Sequence, residues 1–140
     1  MAYVLQAPAM TRSPRRPIAT DLNRLNSRLR ELEQLPPNWD DEGGASIARQ
    51  ALDATRHLLK VRPRLRAAYK LFPTRIGGLL VEFIVNGWDL SVEFGPDGGI
   101  ELFGFEVDGD RELLPRQFTQ LGSEFLEAFD KASGGKWQSD

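Results

Sequence analysis

The chain has 140 residues, no cysteine, and 27% charged side chains with a formal net charge of −2. That length suits one domain with a core of its own. The missing cysteines exclude disulfides and thiolate metal sites and fit a cytoplasmic protein. No run reaches the roughly 18–20 apolar residues of a membrane helix, so no membrane partner is expected.

Residues 1–19 place Tyr3-Val4-Leu5 ahead of Arg12, Arg15 and Arg16 and contain three prolines. The apolar part precedes the positive charges, the reverse of a secretory signal, so a flexible N-terminal arm is expected. The single domain then spans 20–133, and 134–140 form a flexible tail. A first helix is expected from Thr20-Asp21, either of which can cap it, with Leu22, Leu25, Leu29 and Leu32 on one stripe. Pro36-Pro37 ends it. The loop that follows, Asn38 to Ala45, is dense in glycine and acid. Ser46 is the expected cap of a second helix running to about Arg62 and stopped by Pro63, with Ile47, Ala51, Ala54, Leu58 and Val61 on its apolar side.

Leu71 to Thr74 reads as extended. From Leu79 to Phe105 the pattern is that of a three-stranded antiparallel meander. Leu79, Val81, Phe83 and Val85 alternate with Leu80, Glu82, Ile84 and Asn86, the period of two of a strand. Asn86-Gly87 supplies the two positive φ angles of a type I′ turn, which sets Val85 opposite Trp88 and Val81 opposite Val92. Pro96-Asp97-Gly98 fits a three-residue loop, which sets Phe94 opposite Ile100 and Val92 opposite Leu102. Asp108-Gly109-Asp110 is expected to turn the chain away from the sheet. A last helix is expected from about Arg116 to Ala132, with Phe118, Leu121, Phe125 and Phe129 at core spacing and Gly134-Gly135 at its end. The fold class is therefore α+β, a small meander of about three to four strands packed against two to three helices.

The segment Leu35-Pro36-Pro37-Asn38-Trp39-Asp40-Asp41-Glu42-Gly43-Gly44-Ala45, followed by a helix, Pro73-Thr74 and Gly77-Gly78, resembles a family of small uncharacterised bacterial proteins. Its members share a Leu-Pro-x-x-Trp-Asp-Gly-x-Gly-Ala loop, a helix, and a Pro-Thr-x-x-Gly-Gly lead into a sheet. Here Asp41 stands where that loop has glycine. The resemblance implies a bacterial or phage origin and a single domain, and it carries no catalytic residue with it.

Motifs for chemistry are sparse. No phosphate loop, nucleophile elbow or zinc-protease helix is present. The lone histidine, His57, has only Asp53 one turn earlier as an orienting carboxylate. No cofactor is expected, and a non-enzymatic protein is the favoured reading.

Three surfaces remain. The first is the outward face of the meander, where Leu80, Glu93 and Glu101 form one row, Glu82, Ser91 and Phe103 the next, and Ile84, Asp89 and Phe105 the third. Glu93 facing Glu101 is a like-charge pair that destabilises a sheet unless offset, and the face is unusually apolar. Either the chain's own arm or last helix covers it, or another chain does. In the second case Glu82, Asp89, Glu93, Glu101, Phe103 and Phe105, with Trp39 at the edge, bind a partner protein or a second copy in a homodimer. A regulator, antitoxin-like or inhibitor-like factor of bacterial or phage toxin–antitoxin type fits that reading. The second surface is basic: Arg49, Arg56, Lys60, Arg62, Arg64, Arg66 and Lys70 can neutralise several phosphates, which makes nucleic acid the alternative partner. The third is the loop triad Asp40, Asp41 and Glu42. Hard cations take such oxygen ligands, although turn bonding by these acids, with Trp39 in the core, is the simpler expectation. Charge is segregated along the chain, with 14 Lys/Arg against 7 Asp/Glu in residues 1–75 and 4 against 13 in residues 76–140. Such halves either complement one another or present opposite faces to partners.

Overall fold

The computed structural model describes residues 18–64 and 69–134, with the side chains of 18–22 left aside. The expected arm, tail and Arg66 lie outside these residues, apart from the two arm residues that open the first helix and Gly134, which follows the last. Three helices and five strands follow in the order α1 (Ile18–Glu33), α2 (Arg49–Val61), β1 (Lys70–Pro73), β2 (Leu79–Val85), β3 (Trp88–Phe94), β4 (Ile100–Glu106), β5 (Glu112–Phe118) and α3 (Ser123–Ser133). The strands form one antiparallel sheet in sequential order, an α+β meander.

The register follows from turn chemistry. Asn86 and Gly87 take φ of 53° and 78°, which closes β2 onto β3 with Val85 opposite Trp88 and Val81 opposite Val92. The loop after Phe94 closes through the Gly95 amide on the Gly99 carbonyl at 2.8 Å, and Val92 then faces Leu102. One face of the sheet thus carries Leu79, Val81, Phe83, Leu90, Val92, Phe94, Ile100 and Leu102, all buried. Leu25, Leu29 and Leu32 of α1, Leu52, Leu58 and Leu59 of α2, and Phe125 and Phe129 of α3 complete the same core. Phe129 meets Phe83 edge-on with ring centres 5.4 Å apart, and Phe125 meets Phe118 in the same way at 5.3 Å. Such edge contacts add to burial in holding α3 on the sheet.

Several boundaries differ from the sequence expectation. Helix α1 begins at Ile18, so Thr20 and Asp21 lie within it rather than capping it. Helix α2 starts after Ala48, not Ser46. The amides of Ala45 and Ala48 bond the carbonyls of Arg75 and Gly77, and this keeps 45–48 extended along the β1–β2 turn. The buried side of α2 also includes Leu52, Thr55 and Leu59, while Ala54 and Val61 are only half-buried.

The largest correction concerns 108–122. Instead of leaving the sheet, Asp108-Gly109-Asp110 turns the chain back, and residues expected to start a helix form β5 beside β4. Phe118 pairs with Ile100. The pairing slips by one residue between Leu102 and Gly104, where Pro115, without an N–H, sits opposite. A bulge lets a strand hold a proline. Without β5, strand β4 would leave a row of backbone groups unpaired.

Candidate functional site

On the sheet face opposite the core, the three expected rows are present, and the flanking strands lengthen them. Phe72 lies beside Leu80 and Lys70 beside Glu82; Gln117 lies beside Glu101 and Glu112 beside Phe105. All three described helices contribute to the core on the other face, so α3 does not cover this one. Phe72, Ile84 and Phe105 remain 41%, 61% and 51% exposed, while Leu80 and Phe103 are half-buried. Three large exposed apolar side chains on one sheet face, with half-buried Leu80 and Phe103 among them, exceed the singly scattered apolar residues of an ordinary surface.

The carboxylates within this patch are poorly matched. Glu82 shares a hydrogen bond with Asp89, which together with desolvation raises its pKa, against a weaker pull from Lys70. Oδ1 of Asp89 is buried without a hydrogen-bond partner. Glu93 is also raised, first by desolvation and then by the charge of Glu101 across the strand pair. Both raised acids hold their protons more readily than free carboxyls, since burial and a neighbouring acid disfavour the charged form, and neither forms an ion pair among the described residues. Phe72 and Glu112 were absent from the sequence-derived surface. Their places depend on β1 and β5 pairing with the meander, which no local pattern announces.

Trp39 does not belong to these rows. It sits half-buried in the 36–45 loop, where its indole N–H donates to the Ala45 carbonyl at 2.8 Å, and it is not among the core side chains. Asp40 is committed to the same loop. Its Oδ1 accepts from the amides of Glu42 and Gly44 at 3.0 and 2.7 Å, and its Oδ2 accepts from Arg75 Nε at 2.9 Å. The Glu42 amide is the strongest influence holding its carboxyl below the ordinary range, aided by Gly44 and Arg75 and opposed by desolvation. Gly44 is required here: a Cβ would come within 2.9 Å of both Asp40 and Trp39. Asp41 and Glu42 are exposed. Among the described residues no group of three or more Asp, Glu or His is placed to hold a metal ion.

The basic stretch is partly consumed by internal pairing. Arg49 and Arg56 reach Glu33 of α1 at 3.4 and 3.5 Å. Arg62 bonds both oxygens of Asp130 on α3 at 2.9 and 2.6 Å, a half-buried bidentate pair that links the basic and acidic halves of the chain. Lys60 and Arg64 are exposed. Lys70 instead joins Arg24, Arg28, Tyr69 and Phe72 around a groove of about 590 Å³ between α1 and β1.

No helix among the described residues is long and apolar enough to cross a membrane. The chain matches no protein family, no curated protein and no solved structure.

Proposed function

We propose that the protein is a non-enzymatic interaction module whose outer sheet face binds a partner protein bearing cations on an apolar surface. The observation that carries this reading is the pairing of exposed Phe72, Ile84 and Phe105 with acids that lack ion pairs among the described residues. An arginine or lysine delivered between Glu93 and Glu101 relieves their repulsion. The apolar rows then supply the buried centre of an interface and the acids its specificity. A second copy of this chain fits less well, because its acidic face brings like charges together.

A cytoplasmic regulator, antitoxin-like or inhibitor-like factor of bacterial or phage origin is the class that suits such a surface. The likeness of Leu35 to Ala45 to small bacterial proteins and the absence of cysteine support that setting. One observation favours a second reading. The α1–β1 groove brings Arg24, Arg28 and Lys70 together with Tyr69 and Phe72, with Glu31 in its wall paired to Arg28 at 3.1 Å, and basic and aromatic groups together are what single-stranded nucleic acid uses. That reading places nucleic acid beside β1, not along α2.

The test is a panel of apolar peptides carrying basic, acidic or no charges, with single-stranded DNA as a further arm, measured against the full chain. Selective binding of the basic peptides, lost in Ile84→Lys and weakened in Glu93→Gln, is the expected result. Indifference to peptide charge or to both substitutions would refute the face as the site. Salt-dependent DNA binding lost in Lys70→Glu would move nucleic acid to first place.

A further inference from the structure

We propose a second, independent site: the cleft between α3 and strands β3–β5, on the core side of the sheet, binds a small organic carboxylate with an apolar body. The cleft has a volume of about 400 Å³, within the range of about 300–1,000 Å³ typical of small-molecule pockets. Its walls are Trp88 and Leu113 from the sheet and Ala128 and Ala132 from the helix. The two alanines are four residues apart and so lie on one side of α3. A larger side chain at either position would fill the gap beneath the helix, whereas alanine leaves it open.

The rim decides the charge of the ligand. Arg116 and Lys131 border the cleft, and no ion pair of either is found among the described residues. Six other arginines, Arg28, Arg49, Arg56, Arg62, Arg75 and Arg111, each hold a carboxylate within 4.0 Å. Arg116 instead lies over the ring of Phe118 at 5.0 Å, which occupies one face of its guanidinium and leaves the N–H edge for an acceptor. Asp130, the acid next to Lys131, is turned to Arg62. Two cations without acidic partners among the described residues, in the half of the chain where acids outnumber bases by 13 to 4, select an anion. The apolar walls select one with a hydrocarbon or aromatic body over a free inorganic ion. A carboxylate meets the guanidinium edge through two parallel hydrogen bonds.

Octanoate, octanol and octyltrimethylammonium supply a matched series of one chain length and three charges. Each is titrated into the full chain while the Trp88 indole N–H and the Leu113 methyls are followed by NMR. Octanoate should produce saturable shifts at both residues, octanol weaker ones and the cation none. Arg116→Gln and Lys131→Gln should each weaken octanoate by about two- to five-fold, the size of an exposed charge pair, and leave octanol unchanged. Ala132→Leu should block both ligands, with a thermal melt confirming that this variant is folded; the two charge variants carry the test if it is not. Absence of saturable shifts with octanoate, or equal binding of octanoate and octanol, overturns the proposal.

Discussion

Glu93 concentrates the tension between stability and binding at a single residue. Its carboxyl is raised by desolvation and by Glu101, so the folded chain binds this proton more tightly than the unfolded chain does. Stability from this group is present at low pH and declines as pH rises from about the ordinary glutamate value through the raised one. Glu93→Gln should therefore match the wild type in acid and melt at an equal or higher temperature at neutral pH, as thermal melts across pH 3–8 would record. A variant less stable than wild type at neutral pH would mean that Glu93 already has a cationic partner. Arg62 presents the opposite case. Its two bonds to Asp130 are half-buried, and Arg62→Met removes both charge-assisted bonds from that carboxylate. The expected loss, by chemical denaturation, is about 1–3 kcal/mol.

Among the elements, the β2–β3 hairpin and α3 depend on one another. Asn86 and Gly87 provide the positive φ angles of the turn, and Asn86 Nδ2 also donates to the Ser133 carbonyl at the end of α3 at 2.9 Å. Gly87→Ala imposes a left-handed φ on a side chain and should cost about 1–2 kcal/mol. Asn86→Gly retains the turn conformation and loses only the link to α3, a smaller cost of about 0.5–1.5 kcal/mol. Amide exchange should then accelerate in the last turn of α3 while β2 and β3 keep their protection. Uniform acceleration of hairpin and helix would show that the two open as one unit.

At the scale of the whole molecule, the helices all pack on one side of the sheet and leave the acidic, apolar side open among the described residues. Ile84→Lys combined with Phe105→Lys should therefore leave the melting temperature within a few degrees of wild type, since both side chains are more than half exposed. A large drop would reveal that this face is packed within the chain itself. Removal of divalent cations by chelator should not move the melting temperature either, because Asp40 is bound to amides and to Arg75. A rise with added Mg²⁺ that Asp40→Asn abolishes would assign the loop to metal instead.

Turn chemistry and strict alternation from Leu79 to Phe105 determined the meander, its register and the three outward rows. Each turn fixes which residues face one another, and a slip of one residue would move the whole apolar set to the wrong face. Glu93 opposite Glu101 was legible for the same reason. The fifth strand was not. Phe118, Leu121 and Phe125 carry helical spacing, yet Phe118 is seated opposite Ile100 because β4 needs a neighbour for its backbone groups, a demand made by residues distant in sequence. Phe72 and Glu112 joined the outer face only through such long-range pairing, and the cleft beneath Ala128 and Ala132 exists only once α3 lies across the sheet. Local sequence determined what each strand presents; tertiary structure decided which strands stand side by side and which face stays open, because that choice rests on shared burial and paired backbone groups across the whole chain.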